Sequence, residues 1–499
     1  MRKLLFFAIL LSGCSAATQD MSYSLPGKTF YDELPNPVTA NITQWSAVRS
    51  DVNVSFASDN VRYPKEQVPL VSSDEWATMA WKGEKIHTQI LVWTKKDIPA
   101  GKYTGSVTVN AGEEFVLRIS LDVAVHILPS SSEWKFDLDL WQNPDPVAKV
   151  HGVELWSDEH YRLMRPYYEM LAGAGQKSIT AFIIDQPWGP DIIYHRNPTF
   201  IKWSRKKDGS WSYDYTVFDK YVEFVMSCGI DQRINCYSMI TWDLNFIYFD
   251  EAKGDTVSVF AKPGSQAYNE LWEPMISNFT NHLKSKGWFE KTTIAMDERD
   301  MEGMIAVMAL LKRVDTEWKT ALAGGYHREI AMDIYDYCII IHDKFDEDIL
   351  EARRAAGLPT TFYTACGERR PNAFTFSPPA ENVWIGWYAA AEGFTGYLRW
   401  AYNNWTEDVL RDTRYKTWPA GDCYQIYPGP RTSIRFEKLI EGIQDFEKIR
   451  ILRNKFSSEG DIVKLDELNI VLSNFTQENL ENIPAAEIVK KGKEFINRF

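Results

Sequence analysis

The chain has 499 residues, too many for one ordinary domain and enough for two or three. Hydrophobic residues make up 45% of it, so it can build a large core and does not have the composition of a disordered chain. Its 55 Lys and Arg stand against 68 Asp and Glu, a formal net charge of −13, and no basic cluster breaks this pattern. These features argue against a nucleic-acid-binding protein.

The first 14 residues have the pattern of a lipoprotein signal peptide. A basic start, Met1-Arg2-Lys3, precedes the apolar run Leu4–Leu11, which is too short for a permanent membrane helix. Leu11-Ser12-Gly13-Cys14 then resembles the bacterial lipobox, in which Cys14 is acylated after cleavage. The alternative is an ordinary secretory signal that contains a cysteine. We expect a mature lipoprotein anchored to a bacterial membrane by its N-terminal lipid, in the periplasm or on the outer-membrane surface, with residues 15–37 as a tether.

The other five cysteines form no CxxC pair. Their spacing favours small buried residues over a disulfide framework or a zinc site. A single disulfide bridge is the alternative that the sequence leaves open. No other cluster has metal-ligand spacing, and we predict no metal and no cofactor.

Residues 38–130 show short strands with a period of two. Gln89-Ile90-Leu91-Val92-Trp93 and Ser106-Val107-Thr108-Val109 are examples, and turn residues such as Pro99 and Gly101 separate such runs. Regular short strands without a helical pattern predict a β-sandwich domain.

Residues 131–454 alternate strands with helical stretches, a pattern that predicts βα units. Eight of them over about 300 residues favour a closed (β/α)8 TIM-like barrel. Ser433–Arg453 is predicted as the last long helix, and residues 455–499 as a helical C-terminal extension packed on the barrel. The eight predicted strands are Phe136–Trp141, Ile179–Ile184, Arg233–Ile240, Thr292–Asp297, Trp318–Leu322, Tyr337–His342, Thr360–Thr364 and Thr395–Trp400.

The fourth predicted strand ends in two adjacent acids, Asp297 and Glu298. The carboxyl end of a barrel strand is where enzymes of this architecture carry their catalytic groups. Neighbouring side chains alternate on a regular strand, but they can converge where the backbone turns into a loop. Two acids in different environments can then take different roles. The alternative is a helix start, with Asp297 as the N-cap of a helix beginning near Met301 and Glu298 in its first turn.

Aromatic side chains recur at or near the carboxyl ends of the predicted strands. The chain holds 19 Trp and 24 Tyr, and aromatic rings pack well against the C–H faces of sugars, although each one alone is more often core. Together with the acid pair, the repeated position favours a glycoside hydrolase pocket. The candidate substrate-binding rings are Trp141, Trp242, Tyr363, Trp387, Trp400 and Tyr402.

Three stretches resemble glycoside hydrolase family 123, the β-N-acetylgalactosaminidases. They are Ile294–Glu298, Gly396–Trp405, and Gly421–Gly429 with the following Ser433–Glu437 and Glu441–Asp445. The last of these contributes Asp422 as a further candidate substrate-binding residue. A proline often follows the acid pair in this family, whereas Arg299 stands here.

The resemblance implies a retaining exo-glycosidase that releases terminal β-linked N-acetylgalactosamine from glycans. In such substrate-assisted catalysis the 2-acetamido group of the sugar is the nucleophile, and an oxazoline-type intermediate forms. The resemblance also implies that Glu298 is the general acid and base, and that an anionic Asp297 orients the acetamido group. The alternatives are a barrel glycosidase of other specificity and a non-catalytic glycan-binding surface lipoprotein.

Overall fold

The computed structural model describes residues 96–110, 114–189, 197–407, 409–410, 413 and 418–499, together with five earlier strands. The predicted signal peptide, with Cys14, and the tether lie outside the described residues. The chain forms two compact units. The barrel unit comprises Asp137–Tyr363 and Phe394–Trp405, and the flanking unit comprises the described residues of Met1–Phe136, Thr364–Gly393 and Thr406–Phe499.

The barrel unit is built on eight parallel strands that neighbour one another in chain order. The first and second are joined through Leu138 and Gln176, so the barrel is nearly closed. This confirms the predicted eight-stranded barrel, and each observed strand overlaps the predicted one. The strands are β8 Asp137–Leu140, β9 Ser178–Phe182, β12 Arg233–Tyr237, β15 Thr292–Asp297, β16 Lys319–Gly324, β17 Asp336–Ile340, β18 Thr360–Tyr363 and β19 Gly396–Arg399.

Helices alternate with these strands along the chain. Local signals fix their ends: Ser157 and Ser265 accept N-cap hydrogen bonds at the second and fourth helices, and Gly287 ends the fourth in the left-handed region. The helices of the barrel unit are α1 Pro144–His151, α2 Asp158–Gly173, α3 Thr216–Ser227, α4 Gln266–Lys286, α5 Met301–Val314 and α6 Glu347–Ala355.

The segments after β9 and β12 form a small four-stranded sheet that the sequence analysis did not predict. Its order is β11-β10-β13-β14. Its strands are only four to six residues long and lie between the barrel strands and the helices of the βα units, where loops are expected. Because both segments leave the carboxyl ends of barrel strands, the sheet belongs to the face where barrel enzymes carry their sites. Its strands are β10 Lys202–Arg205, β11 Trp211–Asp214, β13 Asn245–Asp250 and β14 Asp255–Phe260.

The barrel interior contains a buried ion cluster. The Arg233 guanidinium on β12 bonds both carboxylate oxygens of Asp137 on β8, at 3.1 and 2.8 Å. Its Nε lies 3.1 Å from a carboxylate oxygen of Asp336 on β17. One step further along β8, Asp139 accepts hydrogen bonds from Asn235 at 3.0 Å and from Gln176 at 3.2 Å. Burial raises the pKa of Asp139 to about 7.

The flanking unit contains two β-sheets and a group of helices. A four-stranded sheet has the order β1-β6-β7-β3 and a three-stranded sheet the order β2-β5-β4. The predicted β-sandwich stays a prediction, because the structure describes only parts of 38–130. The strands are β1 Asn41–Ala47, β2 Val52–Phe56, β3 Glu75–Lys82, β4 Lys85–His87, β5 Ile90–Thr94, β6 Gly101–Asn110 and β7 Glu114–Ile127.

The helices of the flanking unit are α7 Ala380–Glu392, α8 Ile434–Glu459, α9 Ile462–Leu472, α10 Gln477–Asn482 and α11 Ala485–Ile496. The predicted start of the C-terminal extension, at 455, falls inside α8. Cys228, Cys236, Cys338, Cys366 and Cys423 are all buried with free thiols. In the part of the chain that the structure describes, no helix is both long enough and apolar enough to span a membrane.

Candidate active site

The two adjacent acids lie where β15 ends and the backbone turns sharply. Asp297 is the last strand residue, and Glu298 has φ +50°, a left-handed conformation that non-glycine residues rarely adopt. The Glu298 N–H donates to the Ala323 carbonyl at 2.6 Å, which holds the turn in place. The turn breaks the alternation of a regular strand, so both carboxyl groups come close enough to interact. Such strained residues concentrate at functional sites.

A third acid caps the helix that follows. The Asp300 side chain accepts a hydrogen bond of 2.7 Å from the Gly303 N–H at the start of α5. The N-cap alternative for Asp297 therefore does not hold, because Asp300 fills that position. The acid pair is left for another role.

Donors surround Asp297. The Trp188 indole N–H donates to Asp297 Oδ2 at 2.8 Å, and Arg299 Nε donates to the Asp297 main-chain carbonyl at 2.6 Å. The Arg299 guanidinium carbon lies 5.5 Å from the centre of the Trp242 ring. The Trp242 indole also stands beside the Asp297 carboxyl group, although its N–H meets no hydrogen-bond partner of normal geometry among the described residues.

The pKa of Asp297 is raised to about 8, first by burial and then by the nearby Glu298 carboxyl group. Arg299, Trp188 and Trp242 act in the opposite direction and lower this pKa. The raised pKa favours the protonated form of Asp297 near neutral pH in the free protein. The resemblance implies an anionic Asp297 during catalysis, and this role stays a prediction beside the raised pKa of the free protein. The causes, burial and contacts from distant segments, are not visible in the sequence.

Glu298 lies on the solvent side of the pair and is exposed, whereas Asp297 is half-buried. The Tyr363 hydroxyl, at the end of β18, donates to Glu298 Oε1 at 3.0 Å. Burial raises the pKa of Tyr363 well above its usual value, so this hydroxyl stays neutral and can donate. One carboxyl group is thus held deep in the site while the other is within reach of a ligand.

Three buried aromatic rings pack against one another beside Asp297. The Trp141 ring stacks on Trp188 with centroids 5.2 Å apart. The Tyr237 ring lies 4.6 Å from Trp141 and 5.6 Å from Trp188. These rings come from the ends of β8 and β12 and from the loop after β9, so three neighbouring segments of the barrel hold the Trp188 indole beside Asp297.

The structure brings Asp297, Glu298, Trp141, Trp242 and Tyr363 together. Trp400 follows β19 directly and is half-buried. Tyr402 is fully buried, and its hydroxyl donates to the Tyr167 carbonyl at 2.9 Å, a contact within the wall of the barrel unit. The substrate contacts assigned to these rings stay predictions.

Trp387 and Asp422 belong to the flanking unit. The Trp387 indole N–H donates to Asp445 at 2.9 Å, and its ring stacks on Phe475 with centroids 4.6 Å apart. Asp422 is fully buried, and its N–H donates to the Pro419 carbonyl at 3.0 Å. Trp387 therefore packs the core of its own unit, and the substrate contacts assigned to Trp387 and Asp422 stay predictions.

Sequence reasoning missed Trp188, Tyr237 and the role of Arg299. Trp188 stands in the turn Gln186-Pro187-Trp188-Gly189, six residues beyond β9, whereas the sequence search considered rings at or near strand ends. Tyr237 is the last residue of β12, inside what was predicted as a longer strand. A search for aromatic residues in the loops after each strand would have found Trp188.

The site has the groups for acid–base chemistry: a half-buried carboxyl group fixed by donors and a more exposed one beside it. Over the described residues, no group of three or more His, Cys, Asp or Glu side chains is arranged to hold a metal ion.

Comparison with known proteins identifies the family of the chain. Residues 141–452 match the family model for the catalytic domain of glycoside hydrolase 123, and residues 56–99 match the model for its N-terminal domain. The chain is similar to the solved structure of a family 123 glycoside hydrolase from Clostridium perfringens, described for glycolipid glycan hydrolysis. The identity is 26%, covering 82% of this chain and 78% of that one, with a TM-score of 0.76.

A family 39 glycoside hydrolase from Bacteroides cellulosilyticus matches at 10% identity with a TM-score of 0.37, covering 71% of this chain and 72% of that one. No curated protein matches the sequence.

Proposed function

Because the chain belongs to glycoside hydrolase family 123, we propose that it is a retaining exo-enzyme that releases terminal β-linked N-acetylgalactosamine from glycans. The observation that carries this proposal is the acid pair, with Asp297 held at one oxygen by Trp188 and Glu298 more exposed beside it. An acceptor for the acetamido N–H and a proton donor for the glycosidic oxygen are the two groups that substrate-assisted cleavage needs.

In the first step the acetamido oxygen bonds to the anomeric carbon as the glycosidic bond breaks, and Glu298 gives its proton to the leaving oxygen. Asp297 accepts the acetamido N–H, which gains positive charge as the oxazolinium ring forms. That N–H favours the anionic form of Asp297, so the proton that Asp297 carries in the free protein passes to Glu298 when the substrate binds. In the second step Glu298 takes a proton from water, water bonds to the anomeric carbon, and the ring opens.

Nitrophenyl glycosides test the proposal. The protein is expected to release nitrophenol from the β-N-acetylgalactosaminide and to be inactive on the β-galactoside, which lacks the acetamido nucleophile. NMR of the first product is expected to show the β-anomer. Equal rates on the two substrates, or an α-anomer as first product, contradict the proposal.

A different sugar specificity is the second candidate, and Arg299 favours it. Arg299 replaces the proline common in the family and lies over Trp242, beside the acid pair. The N-acetylglucosaminide is therefore the informative companion substrate, since a faster rate on it assigns the enzyme to the gluco epimer.

We also propose that Cys14 carries a lipid that anchors the enzyme to a bacterial membrane, in the periplasm or on the cell surface. The lipobox-like Leu11-Ser12-Gly13-Cys14 supports this assignment. The Cys14→Ala variant is expected to move from the detergent phase to the aqueous phase with unchanged kcat. Equal partitioning of variant and wild type contradicts the anchor.

A further inference from the structure

Trp188 contacts the carboxyl group that the proposed mechanism depends on. Its indole N–H donates to Asp297 Oδ2 at 2.8 Å across 109 residues of sequence. The Trp188 side chain is nearly buried, with 8% of its surface exposed. A donor so enclosed has little freedom to turn elsewhere.

Aromatic rings fix the Trp188 indole from several sides. It stacks on Trp141 at an interplanar angle of 28°, and it meets the edge of Phe182 with centroids 5.5 Å apart. The Trp242 main-chain N–H donates to the Pro187 carbonyl at 3.0 Å, which ties the turn before Trp188 to the segment after β12. Rotating the indole away from Asp297 would disturb both ring contacts.

Asp297 is fixed at its main chain as well. Arg299 Nε donates to the Asp297 carbonyl at 2.6 Å, and the next residue is held by the bond from its N–H to Ala323. With the backbone fixed, the hydrogen bond to Oδ2 sets the remaining side-chain rotation. The orientation of Asp297 Oδ1 then follows from the position of Trp188.

We propose that Trp188 is a positioning residue whose indole N–H holds Asp297 Oδ2, so that Oδ1 accepts the acetamido N–H of the substrate. This inference rests on the proposed substrate-assisted function and names a residue through which it operates. Trp188 acts on Asp297, while the acid pair acts on the sugar.

If Trp188 only packs, its ring is sufficient, whereas a positioning role also requires its N–H. Removing the N–H alone therefore distinguishes the two interpretations. A donor to Asp297 Oδ2 favours the anion and lowers the pKa of this carboxyl group. The other ionisable groups that influence Asp297 or feel its charge are Glu298, Arg299, Tyr237 and Tyr363, and all four stay in place when only the indole N–H is removed.

The test is Trp188→Phe, with Trp203→Phe as the matched control. Trp203 is also a buried tryptophan of the barrel unit, but its N–H donates to the Ile183 carbonyl at 3.0 Å. Hydrogen bonds to charged groups are among the stronger ones, so we expect kcat on the N-acetylgalactosaminide to fall about 10- to 100-fold. KM is expected to change little, and the acidic limb of the kcat/KM profile to move to higher pH. The control is expected to change neither.

Substrates with and without the acetamido group distinguish a failure of the positioning role from a failure of the proposed function. If the wild type requires the acetamido group and Trp188→Phe retains the kcat and pH profile of Trp203→Phe, the positioning role is wrong while the proposed function stands. If the wild type does not require the acetamido group, the proposed function fails and the inference fails with it.

A second variant covers the case in which Trp188→Phe does not fold. Benzothienylalanine at position 188 keeps the shape of the indole and replaces its N–H by sulfur, which cannot donate. The same loss of kcat and shift of the acidic limb are expected. An unchanged profile in this folded isostere overturns the inference.

Discussion

Gly324 lies directly against the backbone of Glu298. A Cβ placed on Gly324 would stand 3.3 Å from the Glu298 Cα, tighter than most contacts of this kind, and an ordinary 3.5 Å from its nitrogen. Gly324 ends β16, the strand that pairs with β15. The position of the proton donor thus depends on the absence of a side chain on the neighbouring strand.

We expect Gly324→Ala to lower kcat about 10-fold, because the added methyl displaces Glu298 by a few tenths of an ångström and reacting groups tolerate little misplacement. Gly325→Ala is the control, since its nearest neighbour would be an Asp343 oxygen at an ordinary 3.7 Å. Steady-state kinetics of both variants test whether Gly324 sets the position of Glu298. An equal effect of the two substitutions on kcat contradicts this role.

Glu298→Gln is expected to lower kcat by about 10²- to 10⁴-fold, the usual loss when a general acid is removed. The glutamine side chain has nearly the same size and can still accept from Tyr363. The thermal midpoint should therefore stay close to that of the wild type, because Glu298 is exposed and its loss opens no cavity. Kinetics and a thermal melt on the same preparation check both halves. A variant with more than half the wild-type rate removes Glu298 from the mechanism.

Asp297→Asn is expected to lower kcat more than it raises KM. The contact to the acetamido nitrogen strengthens as charge develops there, so its loss weighs on the transition state. A thiazoline analogue of the oxazoline intermediate should bind the variant much less tightly than the wild type, measured as an inhibition constant. Trapping a covalent glycosyl adduct on a protein carboxylate with a 2-fluoro sugar is the result that excludes this mechanism.

Tyr363→Phe removes the hydroxyl that donates to Glu298 Oε1 and keeps the buried ring. Without this donor Glu298 is less well oriented, and we expect kcat to fall about 10-fold, in the range of one lost hydrogen bond to a charged group. KM should change less than twofold if the hydroxyl contacts Glu298 and not the substrate, because the loss of a substrate contact raises KM. A rise in KM with constant kcat would instead place the hydroxyl on the substrate.

Asp139 gives a prediction about stability and pH. Its pKa in the fold is raised to about 7, while an unfolded aspartate titrates near ~4. The native state therefore binds more protons than the unfolded chain between these values, and its free energy of unfolding falls as pH rises through that window. One such group contributes up to about 1.4 kcal/mol per pH unit.

We expect Asp139→Asn to show a weaker dependence of unfolding free energy on pH between about 4 and 7 than the wild type, as measured by chemical denaturation. Some dependence remains, because the pKa of Asp297 is raised in the same direction. If the unfolding free energies of the two proteins change equally with pH, Asp139 does not bind the proton.

The sequence predicted the elements of the barrel because they depend on local patterns. Runs of apolar and β-branched residues marked all eight strands, and β15 was placed at its observed bounds, Thr292–Asp297. The acid pair at its end was found by the same logic, since a strand end is a local feature. That Trp141, Trp242 and Tyr363 lie close to the acid pair followed from their position at or near other strand ends.

The sequence could not predict the parts of the site that depend on distant segments. The hydrogen bond between Trp188 and Asp297 joins a loop to the end of a distant strand, and the raised pKa of Asp297 results from burial that only the fold creates. The left-handed backbone of Glu298 had no local signal either, because glutamate does not favour that conformation. These non-local features account for the fine geometry of the site.

The Arg233 cluster has a consequence for the order in which the barrel assembles. Arg233 on the third barrel strand needs Asp137 from the first and Asp336 from the sixth, and the last of these leaves the ribosome about 100 residues after Arg233. A nascent chain of four or five strands that closed on itself would enclose the guanidinium with only one of its two partners, which is costly in a dry interior. We therefore expect the early strands to remain open and hydrated until the sixth emerges, so that the completed barrel condenses as one unit.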